Sequence, residues 1–383
     1  MRLAIYCDSG INGGHEEMLK RLIRALAASK QLHALYIFVP TTNAVLFGCI
    51  TDMARENAKI HALELPFTSE SLKRNRLKFI WAIRSTAAML RTQRITKVIV
   101  AQGTIVSGLV GLIAGRYARV WTASYLPLVD APPVRAGAVG RAKWLVKCGL
   151  YRMPNEFITL NEHLRGELNK LAPQVRVTVL ENYVDDRFSH STLTKRAARM
   201  ILGLPDDGKI IVAHIGRINF SQKRQDFLMD TIERNPDAFT DALVLVVGDG
   251  PDALRLAARV EASPTLSRCV RLVGPQSDVL PYMVASDTLV LPSSFEGVPL
   301  VMIEAVLAQR PIVASRVSGL DSYLPDALLF PADDPNAFVE RIFSAPNVPM
   351  SVLASDFRRR FSREVFDAQA QRLVTIPPTD PDA

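Results

Sequence analysis

Two carboxylates, Glu296 and Glu304, stand eight positions apart in the segment Asp287 to Gly319, DTLVLPSSFEGVPLVMIEAVLAQRPIVASRVSG. The apolar run before Pro292 reads as a buried strand, Ser293 to Gly297 as a loop, and Pro299 as the start of a helix that contains Glu304. Glu296 is expected at the loop tip, beside a helix start whose unpaired N–H groups favour anions such as phosphate. Glu304 lies more than a turn inside an otherwise apolar helix. A carboxylate in such a place accepts bonds from ligand hydroxyls, such as those of a ribose, or closes a structural ion pair.

Two cations share another post-strand loop. After the run IIVAHI come Gly216-Arg217, with Lys223 six residues past the arginine. Arginine offers a planar fork and lysine a point charge, so the pair could neutralise a diphosphate leaving group without a divalent ion. As an isolated pair they could equally be solvated loop charges. The run ALVLVV then ends in Gly248-Asp249-Gly250-Pro251. That turn could lie under a nucleotide or sugar, or serve only to turn the chain. Near the N-terminus, Asp8-Ser9-Gly10-Ile11-Asn12-Gly13-Gly14 links a strand to a helix with Glu16 and Glu17 in its first turn. Paired glycines let backbone approach a ligand closely, but the spacing is not that of a dinucleotide fingerprint. His15 and His214 stand near these loops and read as turn or core residues.

The elements that must hold these loops alternate. Strands are predicted at Leu3–Cys7, Leu35–Val39, Val98–Ala101, Val120–Ala123, Glu156–Leu160 and Val177–Leu180. A second series follows at Ile210–Ile215, Ala242–Val247, Val270–Val273, Thr288–Leu291, Pro311–Ala314 and Leu328–Phe330. Helical patterns such as Glu16–Ala28, Pro251–Ala262 and Leu300–Ala308 lie between them. Alternation of this kind gives parallel sheets covered on both faces, and the series runs twice. The fold class is therefore α/β, with two doubly wound, Rossmann-like domains facing a central cleft. The expected bounds are 1–185 for an N-terminal acceptor-side domain, 186–375 for a C-terminal donor-side domain, and 376–383 for a disordered tail. Ligands of doubly wound sheets bind beyond the carboxyl ends of the strands, where the loops above fall.

Composition excludes other classes. The 383 residues are 48% hydrophobic and 22% charged, a globular balance rather than a disordered or collagen-like one. The four cysteines are scattered, which fits a reduced cytoplasmic protein and argues against a zinc cluster. The first residues do not read as a signal peptide, and no run of about 20 apolar residues predicts a membrane span. Charge is polarised: residues 1–180 carry 25 Lys or Arg against 11 Asp or Glu, and residues 181–383 carry 21 against 27. The basic bias concentrates in 71–97 and 134–152. The first has eight basic residues and no acidic one, with Leu77, Ile80, Trp81, Ile83, Ala87 and Leu90 near helical spacing. The second sets Arg135, Arg141, Lys143, Lys147 and Arg152 around Trp144, Leu145 and Leu150. This is the pattern of helices that lie on an anionic membrane surface, and also of a basic solvated face over a core stripe. No nucleic-acid-binding motif accompanies it, so nucleic acid is not an expected partner.

At Glu296-Gly297 through Glu304-Ala305 the sequence resembles a retaining nucleotide-sugar-dependent glycosyltransferase of the GT-B fold, glycosyltransferase family four. Gly216-Arg217 with Lys223 resembles that family's cationic loop, and Gly248-Asp249-Gly250-Pro251 its second glycine turn. Leu180 to Asp185, LENYVD, resembles the segment leading into the second domain. The resemblance implies that Arg217 and Lys223 hold the donor diphosphate, Glu296 orients the transferred sugar, and Glu304 binds the ribose. It also implies that Gly13 and Gly14 admit the donor phosphate or the acceptor, that Val273 and Gly274 are candidates for backbone contact with the base, and that Gly216, Gly248, Gly250, Gly297 and Val298 line the donor site. The implied reaction is transfer from a UDP- or GDP-linked sugar to a glycan or lipid-linked acceptor, with retention. It is expected in cell-envelope polysaccharide synthesis and needs no cofactor and no metal. The expected location is cytoplasmic, with a peripheral reading at the inner face of the membrane. Where many members carry a histidine on the acceptor side, this chain has Gln102 and Ser124, neither able to act as an imidazole base. Two other readings stay open: a nucleotide-sugar epimerase of the same architecture, and a non-catalytic binding protein on a decayed glycosyltransferase fold.

Overall fold

A computed structural model of the chain describes residues 1–10, 13–72, 75–130, 137–317 and 319–375. Ile11, Asn12, parts of the two basic segments (73–74 and 134–136), Ser318 and the expected 376–383 tail lie outside the described residues.

Thirteen strands are present among these residues. In the first series they are β1 (Arg2–Tyr6), β2 (Ala34–Pro40), β3 (Ile60–Leu65), β4 (Lys97–Ala101), β5 (Trp121–Tyr125), β6 (Glu156–Thr159) and β7 (Arg176–Val179). In the second they are β8 (Ile210–Ile215), β9 (Ala242–Val247), β10 (Val270–Gly274), β11 (Thr288–Leu291), β12 (Ile312–Ser315) and β13 (Leu329–Phe330). Central strands such as β1, β4 and β8 are almost wholly apolar, because helices cover both faces of a parallel sheet. Leu3, Ile5, Ile99, Val212 and Leu245 are fully buried.

All pairings are parallel, and the sheet orders are β3-β2-β1-β4-β5-β6-β7 and β10-β9-β8-β11-β12-β13. Each order reverses once, between β1 and β4 and between β8 and β11, which marks the place where doubly wound sheets bind ligands. The sequence reading missed β3. Its residues IHALEL leave His61 and Glu64 exposed, because β3 is an edge strand and needs apolar cover only in part.

The chain divides into two compact units, residues 1–182 with the segment from Glu364, and Tyr183–Arg363. This corrects the expected bounds. The helix Arg363–Thr375, assigned from sequence to the second domain, groups from Glu364 onward with the first unit. Its Gln369 accepts a bond from the backbone N–H of Glu181 (3.0 Å), and its Gln371 donates to the carbonyl of Ala25 (3.0 Å). Lys97 reaches the carbonyl of Leu373 (3.3 Å) while paired with Glu156 at 2.7 Å, and both charged side chains are buried.

Candidate active site

In the second unit, three loops at the carboxyl ends of β8, β9 and β11 are bonded to one another. The turn after β8 starts at Gly216, whose φ of +152° lies in a region few other residues adopt. Gly216 donates to the Val247 carbonyl (2.9 Å), and Ile218 donates to the Asp249 carbonyl (2.9 Å). Gly248, at φ +141°, packs so closely that an added Cβ would meet the Gly216 oxygen at 2.0 Å. A Cβ on Gly250 would meet the Ile218 oxygen at 2.1 Å. These two glycines are needed for close approach of backbone to backbone. Asp252 accepts from the Phe220 N–H (2.8 Å), and Ser294 donates to the Gln222 carbonyl (2.8 Å). Gly248 also donates to the Gly274 carbonyl (2.9 Å), which ties in the end of β10. Val273 and Gly274 are half-buried there.

The polar centre is Lys223 with Glu296. Their Nζ and Oε1 lie 2.6 Å apart, and their side chains are 14% and 5% exposed. Ser293 donates its hydroxyl to the same Glu296 oxygen (2.6 Å), and Ser315 donates to the Ser293 carbonyl. Glu296 lies in the loop before the helix Leu300–Leu307 with its side chain buried. A carboxylate this close to an ammonium can be buried because the pair and the hydroxyl compensate its lost hydration. Arg217 is exposed, so its guanidinium is available to an anion in solvent. Gly297 and Val298 are buried beneath the helix Leu300–Leu307, whose N-cap Pro299 supplies no side-chain cap. Glu304 is half-buried on that helix. Together these groups present fixed cations, helix-start N–H groups and a paired carboxylate, a set suited to a diphosphate-linked polyol.

Beneath the loop, His214 on β8 is fully buried and its Nδ1 has no partner, so it is not the satisfied core residue expected from sequence. Burial, reinforced by the Lys223 charge, lowers its imidazole to about 4 and keeps it neutral at physiological pH. Two further groups were missed from sequence, Ser293 and the fully buried Gln225, whose partners are set by the fold rather than by spacing. Gln225 opens a helix that also carries Asp226, Asp230 and Glu233, so its type alone does not single it out.

In the first unit, Gly13 is the N-cap of the helix Gly14–Ala27 and provides no side-chain cap, so early N–H groups of that helix are left to other acceptors. Gly13 and Gly14 are exposed. His15 lies against Tyr125, ring centroids 5.2 Å apart, and both its ring nitrogens are buried without partners. Gln102 and Ser124 are bonded to each other, Ser124 donating to Gln102 Oε1. The Gln102 amide also donates to the carbonyls of Ile105 (3.1 Å) and Ser107. At the positions where the resemblance leads one to look for an imidazole, these residues brace the turn after β4. Among the described residues, no three His, Cys, Asp or Glu side chains group as a metal site, and no helix is long and apolar enough to cross a membrane.

The two sheets define a GT-B protein. The fold of the Anabaena Alr3699/HepE complex with UDP matches 98% of this chain and all of that one, at a TM-score of 0.74 and 16% identity. WaaG, a glycosyltransferase involved in lipopolysaccharide biosynthesis, matches at 0.68 and 16%, over 98% of each chain. Within that class, residues 209–345 match the family described as Glycosyl transferases group 1. The chain is 33% identical over 189 residues to D-inositol 3-phosphate glycosyltransferase 2 of Catenulispora acidiphila, across 45% of this chain and 43% of that protein. It is 26% identical over 176 residues to the UDP-Gal:alpha-D-GlcNAc-diphosphoundecaprenol alpha-1,3-galactosyltransferase of Escherichia coli, across 44% of each. These matches span less than half the length of either curated relative.

Proposed function

We propose that the protein transfers a sugar from a UDP- or GDP-linked donor to a glycan or lipid-linked acceptor, with retention, in cell-envelope polysaccharide synthesis. The single observation that carries this reading is the buried Lys223–Glu296 pair, set among the β8, β9 and β11 loops beside the exposed Arg217. Arg217 and Lys223 take the donor diphosphate, which displaces Lys223 from Glu296 and frees that carboxylate for the hydroxyls of the transferred sugar. Glu304 takes the ribose, and Val273 and Gly274 meet the base. Gly13 and Gly14 admit a phosphate at the first helix. As the diphosphate departs, the fixed cations neutralise it, and the acceptor attacks on the face it vacates. The departing phosphate takes the acceptor proton, so neither Gln102 nor Ser124 has to act as a base. Metal independence belongs to this reading, because two side-chain cations and backbone N–H groups meet the charge of the leaving group.

The acceptor side is read as peripheral to an anionic membrane from the cytoplasmic face. The helices Arg76–Thr92 and Ala138–Tyr151 support this. Leu77 is 80% exposed, Trp81 53% and Leu145 71%, beside exposed Arg76, Lys78, Arg141 and Lys143. The stripe expected from sequence divides in the first helix: Ala82, Thr86, Ala87 and Leu90 face the core, while Leu77, Ile80 and Trp81 face solvent.

The test is a calorimetric binding panel of UDP, GDP and ADP with their sugars, followed by transfer assays with and without EDTA. One nucleotide series is expected to bind, chelation to leave turnover unchanged, and Lys223→Ala and Glu296→Ala to abolish transfer. Unchanged transfer in both variants would refute the site assignment.

A further inference from the structure

We propose that Gln225 is a positioning residue for the diphosphate loop, acting through its side-chain amide on the backbone that carries Arg217. This deepens the reading above and rests on it.

Gln225 is fully buried. Its Oε1 accepts from the Asn219 N–H (3.1 Å), and its Nε2 donates to the Arg217 carbonyl (2.9 Å). The same Nε2 lies 3.5 Å from His214 Nε2. The backbone partners cannot exchange roles, one being a donor and the other an acceptor, so the amide orientation is fixed by them. One amide hydrogen then serves the Arg217 carbonyl, and the other faces the buried His214 ring. The two bonds bracket Ile218, whose own N–H is held by the Asp249 carbonyl (2.9 Å). The three-residue turn 217–219 is thus pinned from below by one side chain and from the side by the β9 loop.

The local backbone is built for this. Arg224, between Lys223 and Gln225, has φ +56°, a left-handed conformation costly for a side chain of its size. It is held there by an ion pair to Asp333 (2.8 Å) and by stacking over Phe227 (5.3 Å). The reversal at Arg224 starts the helix Gln225–Arg234 with its first side chain directed back under the loop. Neither Gln225 nor Arg224 need touch a ligand. A fixed turn presents Arg217 and Lys223 in one arrangement, so less ordering remains to be done when an anion binds.

The experiment compares Gln225→Met, which keeps the volume and loses both bonds, with the unaltered chain. Affinities for UDP, GDP and ADP are measured by calorimetry, each beside its nucleoside, and the series that binds is followed. Diphosphate affinity is expected to fall about tenfold to a hundredfold while nucleoside affinity holds. In an Arg217→Ala background the same substitution is expected to have little further effect. A residue that only stabilised the fold would lower melting temperature and change neither the diphosphate-to-nucleoside ratio nor its dependence on Arg217, and that result overturns the proposal. If Arg217→Ala and Lys223→Ala themselves leave diphosphate affinity intact, the site reading fails before the Gln225 step. If Gln225→Met does not fold, amide hydrogen exchange on the unaltered chain decides. The Asn219 N–H is expected to be protected and to slow further with the nucleotide bound; exchange at the rate of an open loop refutes the inference.

Discussion

His214 gives a residue that chemistry at physiological pH does not titrate but that stability does. Its imidazole is lowered to about 4 in the folded chain, whereas an unfolded histidine binds a proton near 6.5. Between those values the unfolded chain binds more protons, so falling pH favours unfolding. The contribution is complete above about pH 6.5, is diminished by about 2 kcal/mol at pH 5, and is lost near pH 4, about 3 kcal/mol in all. His214→Gln is expected to flatten the fall in melting temperature between pH 7 and 5, which calorimetry across that range would measure. An equally steep fall in the variant would assign the acid sensitivity elsewhere. The Lys223–Glu296 pair was legible as two charges of opposite sign on neighbouring loops. That they meet at 2.6 Å was not, because 73 positions separate them and only the β8–β11 pairing brings their loops together.

Among elements, the strands were the most legible, because a strand buried on both faces must be an apolar run. The amphipathic edge strand β3 has no such signature. The glycines after β9 were visible as turn residues, but their purpose is packing. Gly250→Ala places a methyl group at 2.1 Å from the Ile218 oxygen, a backbone atom that cannot rotate away. The β8 turn must shift, at a cost of about 1–3 kcal/mol. Thermal denaturation should show the loss, and nucleotide affinity should weaken with it because the shift displaces Arg217. The exposed faces of the two basic helices make a second element-scale prediction. Trp81→Ala with Leu77→Ser should reduce sedimentation with vesicles rich in phosphatidylglycerol and leave nucleotide binding untouched. Undiminished sedimentation would remove Arg76–Thr92 from the proposed membrane surface.

For the whole molecule, the helix Arg363–Thr375 matters more than its place in the chain suggests. Phe366, Leu373 and Val374 are buried, and Lys97 depends on the Leu373 carbonyl as well as on Glu156. Burial lifts the Glu156 carboxyl, and the Lys97 charge and hydrogen bond, the Thr178 hydroxyl and the Arg176 charge together more than offset it, so the net displacement is downward. Ending the chain at Ser362 is expected to remove on the order of 5 kcal/mol from the first unit, the apolar burial of its three largest contributors. Urea unfolding should then separate into two transitions, with the second unit retaining its midpoint. A single unshifted transition would show the helix to be dispensable. The return of the chain was illegible because the helix has the same amphipathic pattern whichever sheet it covers.

That return sets an order of events during synthesis. Tyr183–Arg363 is one uninterrupted stretch, whereas the first unit is completed by residues that leave the ribosome after it. The usual vectorial sequence, amino-terminal domain first, is reversed here. The second unit can mature while the first still exposes the apolar seat of its last described helix, and with it an unsheltered lysine. For that interval the nascent polypeptide offers a hydrophobic groove to chaperones, and the emergence of the helix Arg363–Thr375 becomes the step that closes it.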